Sequence, residues 1–131
     1  MGLFKSLKNL FKSIVDPEGS GGLFGGPEGK TLEEFRTLVR TNFESEYEIS
    51  TNFAPANIDR NYTDAKPYAL AFFKEGRLVL TILYTKHNED KSRRFVNAKR
   101  VCQDNGITCL NFFEHFPNED TYVIDRIRDS L

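Results

Sequence analysis

Two apolar runs, PYALAFF and LVLTILYT, lie on either side of Lys74-Glu75-Gly76-Arg77 and constrain this chain more than any other feature. Both are rich in aromatic and β-branched residues. The short polar break between them contains a glycine, so residues 67–86 are predicted to form a β-hairpin. The remaining elements are placed around it. Thr31 and Glu34 make a T-x-x-E capping box, opening a helix with Leu32, Phe35, Leu38, Val39 and Phe43 on one face. EYEISTNF, residues 46–53, reads as a strand, and the irregular polar stretch Ala54 to Lys66 as a loop. After the hairpin, Ser92 to Asn105 is predicted to be helical, with Phe95, Ala98, Val101 and Cys102 inward and Gly106 closing it. Ile107 to Phe113 reads as a further strand. A last helix follows Pro117, with Asn118 as its N-cap and Val123, Ile124, Ile127 and Leu131 as its buried stripe. The predicted order from Thr31 onward is α-β-β-β-α-β-α.

With 131 residues, 39% hydrophobic and 28% charged, the chain has room for one ordinary globular core. Three segments are predicted: an amphipathic helix at 1–16, a Gly-rich flexible linker at 17–30, and a single α/β domain at 31–131. In the first, Leu3, Phe4, Leu7, Leu10, Phe11, Ile14 and Val15 fall within an arc of about 140° on a helical projection. Lys5, Lys8 and Lys12 lie on the other side. A lysine-rich polar face opposite phenylalanines suits an anionic membrane surface and suits equally an unknown protein partner, with packing on the chain's own domain the lesser alternative. The linker collects most of the nine glycines and carries Leu23-Phe24 as a possible small anchor. Met1-Gly2 followed by Ser6 also fits the eukaryotic myristoylation pattern.

Several function classes are set aside at this level. The net charge of −1 gives no whole-molecule attraction to nucleic acid. Two cysteines, Cys102 and Cys109, read as reduced core thiols of a cytosolic protein. No apolar run approaches the ~20 residues that span a bilayer, and the N-terminus has no signal-peptide pattern. The expected localisation is cytoplasmic, with the first helix offering attachment at the inner face of the membrane. Cys102, Cys109, His87 and His115 have no metal-ligand spacing, so no metal site is expected. Gly29-Lys30-Thr31 lacks the first glycine of a phosphate loop, since position 24 is Phe. No catalytic residues and no cofactor are predicted. Lys86, His87, Lys91, Arg93, Arg94, Lys99 and Arg100 form a basic run. A solvated helix face is the favoured reading, and a phosphate or nucleic-acid contact through Lys86, His87, Arg93 and Arg94 is the alternative. The oligomeric state is left open.

The αβββαβ order, with a hairpin feeding a charged helix and then the Asn105-Gly106-Ile107 boundary before a strand, resembles the restriction-endonuclease-like, PD-(D/E)XK, core with its mixed sheet. The likeness covers roughly residues 31–116, with the C-terminal helix additional. The ending NFFEHFPNEDTYVIDRIRDSL also resembles a group of short uncharacterised bacterial proteins. The nuclease resemblance implies an Asp on the second strand and an Asp/Glu-x-Lys on the third, holding Mg²⁺ beside a scissile phosphate. Aligned on Gly76, those positions are Ala69 and Leu83, and only Lys86 stands near the expected lysine. Neither hairpin strand contains an acid. The expectation is therefore a degenerate nuclease-like domain acting as a non-enzymatic interaction or accessory protein, and a Mg²⁺-dependent nuclease with relocated acids is the least favoured alternative.

Overall fold

The hairpin sits at the centre of the structure, a computed structural model describing residues 29–131. In chain order the elements are α1 (Leu32–Phe43), β1 (Glu48–Phe53), β2 (Tyr68–Lys74), β3 (Arg77–Thr85), α2 (Arg93–Asp104), β4 (Thr108–Phe113) and α3 (Asp120–Ser130). Short 3-10 turns stand at Pro55–Asn57 and Glu89–Lys91. The predicted amphipathic helix at 1–16 and the linker up to residue 28 lie outside the described residues.

β2 and β3 are joined by a two-residue turn in which Glu75 and Gly76 both have positive φ, 51° and 80°, while Lys74 pairs with Arg77. Positive φ at both central positions matches the twist of the flanking strands, and glycine takes the second without a Cβ penalty. β1 adds antiparallel to β2, and β4 adds parallel to β3 after the α2 crossover, giving the order β1-β2-β3-β4. The result is a four-stranded mixed sheet in an α/β fold with three helices.

Tyr68 to Phe72 are buried without interruption, and so are Leu80 to Thr85. Strands buried at consecutive positions must be covered on both faces. α1 and α3 cover one face, where Phe35, Val39 and Phe43 meet Leu70, Phe72, Ile82, Phe112, Val123 and Ile127. α2 and the 54–67 segment cover the other, where Phe95, Ala98 and Cys102 meet Ala65, Tyr68 and Leu83. That segment therefore does more than connect: Tyr62, Ile58 and Ala65 complete the second core. α1 opens with the expected capping box, Thr31 and Glu34 exchanging both bonds. α2 is capped by Ser92, whose hydroxyl accepts from the Phe95 amide.

One cap differs from expectation. Glu119, not Asn118, is the N-cap of α3. Asn118 instead takes positive φ, 48°, and its buried amide donates to the Phe113 and Phe116 carbonyls. Asparagine tolerates this conformation and bonds locally, so it braces the turn one residue earlier.

Candidate functional site

The parallel pairing of β3 and β4 ends with Thr85 opposite Phe113, and the Glu114 amide continues it by donating to the Thr85 carbonyl at 2.8 Å. Both chains then run on for two residues to a histidine. His87 and His115, 28 positions apart in the chain, consequently stand side by side, their ring centres 4.8 Å apart and their planes at 81°. Phe116 and Phe113 flank His115 at 4.4 and 5.6 Å. Both imidazoles are exposed.

These rings form one wall of an open cleft of about 520 Å³ whose other lining residues are Gly29, Lys30, Thr31, Glu34 and Glu114. It lies at the carboxyl ends of the two parallel strands, where open α/β sheets commonly place their ligand sites. Gly29 must be glycine here, because a Cβ would fall 1.9 Å from the Glu114 carbonyl oxygen. Lys30 is held rather than free: its ammonium pairs with Asp120 and donates to the Asn118 carbonyl, each at 2.8 Å. Its carbonyl accepts from the Tyr84 hydroxyl. Burial pushes that hydroxyl up to about 12, against a hydrogen bond with Asn118 that lowers it, while Glu114 and Glu34 add to the rise. Glu34 is occupied by the cap of α1. Two accessible imidazoles beside carboxylates suit cations and hydrogen-bonding ligands better than anions.

Two members of the basic run share one acid. Arg93 and Arg94 both face Asp64, at 3.7 and 3.5 Å, and Arg94 also donates to the Ala65 carbonyl. Lys86 and His87 follow β3, and of the two His87 lines the cleft, while Lys99 lies over the Phe95 ring. Asp64, about thirty positions earlier in sequence, is the contact that the linear pattern hides. Ala69 and Leu83, the positions where the nuclease resemblance would require carboxylates, are buried in different clusters, Ala69 with α1 and α3, Leu83 with α2.

A second polar group lies beneath α2. The Tyr68 hydroxyl donates to the Ala98 carbonyl at 2.7 Å and accepts from the Cys102 thiol at 3.2 Å. Cys102 also lies 3.2 Å from the Thr81 hydroxyl, and Thr81 is the strand partner of Cys109. Of the two thiols Cys102 is the readier to ionise: a hydrogen bond with Cys109 lowers it most, burial opposes, and Thr81 and Tyr68 lower it further. The same thiol–thiol hydrogen bond, with burial, pushes Cys109 up. Cys102 is 1% exposed, consistent with a core thiol. Among the described residues, no set of three His, Cys, Asp or Glu side chains is arranged to hold a metal ion, and no helix is long and apolar enough to cross a membrane.

Comparison with protein-family models, with curated proteins and with solved structures finds no match to this chain.

Proposed function

We propose that the chain is a non-catalytic interaction module, a nuclease-like αβββαβ domain without metal-binding carboxylates, carried beside an amphipathic docking helix at residues 1–16. The observation that carries this reading is the filling of the hairpin. Ala69 and Leu83 are both buried among apolar side chains, so acids placed there would be cut off from solvent. A buried unpaired carboxylate costs several kcal/mol, and such positions favour packing over chemistry. The mixed sheet order and the single crossover helix between β3 and β4 support the nuclease-like comparison.

Both sheet faces are closed by the domain's own helices, which supports an external use for the apolar face of residues 1–16. That face would dock on an anionic membrane surface or on a protein partner, with Lys5, Lys8 and Lys12 toward the headgroups or acidic side chains. A flotation assay tests the membrane branch. The full chain should rise with vesicles containing anionic lipid, and a chain lacking residues 1–16 should stay in the soluble fraction. Equal behaviour of the two rejects residues 1–16 as the docking element. Mg²⁺-dependent cleavage of DNA or RNA by the pure chain would overturn the non-catalytic reading. Salt-sensitive retention on nucleic acid, lost with Arg93→Glu and Arg94→Glu, would replace it by the nucleic-acid alternative.

A further inference from the structure

We propose that His87 and His115 together bind one hydrated transition-metal dication, of the Zn²⁺, Ni²⁺ or Cu²⁺ class, at the wall of the cleft.

The argument begins with spacing. A zinc–imidazole bond of about 2.0–2.1 Å places the metal roughly 3.2 Å from a ring centre, so two histidines on one tetrahedral ion have centres about 5 Å apart. The observed separation is 4.8 Å, with nearly perpendicular rings. The second observation is how that separation is set. Each ring stands two residues beyond the last paired residues of two parallel strands, Thr85 and Phe113, and the Glu114 amide bond to Thr85 extends the pairing toward them. The backbone pairing therefore brings the two positions together, and Phe113 and Phe116 pack against the His115 ring. The histidine χ2 torsion is broad. A turn about it can aim one nitrogen of each ring at a common point without moving a strand.

The donor set selects the ion. Two neutral imidazoles favour borderline cations over Mg²⁺ and Ca²⁺, which prefer all-oxygen shells. Glu114 lines the same cleft and, with Glu34, places acidic groups near a bound cation. Among the described residues no third side chain completes a ready-made set, so the remaining coordination positions are filled by water and stay open to an incoming ligand.

The test is calorimetric titration of the full chain with Ni²⁺ and with Zn²⁺, alongside His87→Ala, His115→Ala and the double variant. Both side chains are exposed, so the variants should fold as the parent does. One saturable ion per chain is expected. Affinity should fall in each single variant by more than the roughly 10–100-fold typical of losing an outer-shell partner. The double variant should show no saturable site. Cu²⁺ bound at equimolar ratio should show magnetic coupling to two imidazole nitrogens, reduced to one in either single variant. Binding that persists in the double variant would place the ion elsewhere, on the Cys102–Cys109 thiols for example, and overturn the proposal. So would the absence of a saturable site in the parent, or displacement of Ni²⁺ by an equal concentration of Mg²⁺.

Discussion

The two faces of the sheet are closed by different chemistry. Under α1 and α3 the core is built from rings: Phe35 stacks on Tyr84 at 4.4 Å and tilts against Phe112 at 5.1 Å, and Phe43 meets Phe72 edge-on at 5.6 Å. Under α2 the core is thinner in rings and holds a hydrogen-bonded line of Ala98 carbonyl, Tyr68 hydroxyl, Cys102 thiol and Thr81 hydroxyl. The first face gains from area and ring geometry, the second from satisfied polar groups in a dry place. Each face contains one buried tyrosine, so the contrast can be tested by matched substitutions.

The largest effect is expected from Phe35→Ala. Phe35 is fully buried at the centre of the ring cluster, and its removal should cost about 3–5 kcal/mol in denaturant unfolding. Phe95→Ala on the α2 face should fall toward the lower end of that range, because Phe95 lies nearer the rim with the Lys99 ammonium over it. If Phe95→Ala proves the more costly, the ring-rich face is not the stronger half of the core.

The tyrosines sharpen the same contrast at smaller scale. Tyr68→Phe removes the hydroxyl at the centre of the α2 line, taking one buried partner from the Ala98 carbonyl and one from the Cys102 thiol, which keeps its contact with Thr81. A loss of about 1–3 kcal/mol is expected. Tyr84→Phe keeps the stack on Phe35 and releases the Lys30 carbonyl, which lines the open cleft where water can replace the lost donor, and the Asn118 amide, which keeps the Phe113 and Phe116 carbonyls. Its cost should be about 1 kcal/mol or less. Equal costs would mean that the two hydroxyls are solvated alike, which the geometry contradicts.

What the sequence made legible follows the same division between local and distant causes. The Thr31–Glu34 capping box, the Lys74–Arg77 turn and the inward stripe of α2 are set by residues within a few positions of one another, and each is where the pattern puts it. The cap of α3 falls one position beyond Asn118, because an asparagine before acidic residues reads equally well as an N-cap and as a positive-φ brace. The Ala54 to Lys66 stretch reads as a polar loop since its three contributions to the second core, Ile58, Tyr62 and Ala65, have no period. The candidate site was the least legible part. His87 and His115 meet only because β4 pairs parallel to β3 in one particular register, and no linear spacing encodes that. The same holds for Asp64 beneath Arg93 and Arg94.

The smallest effect concerns the rims. Each face is pinned at its edge by one lysine–carboxylate pair, Lys30–Asp120 at 2.8 Å beside α1 and α3, and Lys66–Glu89 at 3.0 Å beside α2. The Glu89 carboxyl is pushed up by burial. The Lys86 amide, the Lys66 ammonium and the Lys86 charge outweigh that and leave it below its ordinary value. A carboxyl with a depressed folded-state value stabilises above its unfolded value, near pH 4.3, and loses that contribution as the pH falls through the folded value. At neutral pH Glu89→Gln should therefore cost about 1 kcal/mol or less, the pair being partly solvated, and less again in high salt. Unfolding curves of parent and variant should converge as the pH is lowered beneath 4. A gap that stays constant down to strongly acidic pH would assign the difference to contacts independent of the carboxylate charge, and would leave the rim of the α2 face without an electrostatic pin.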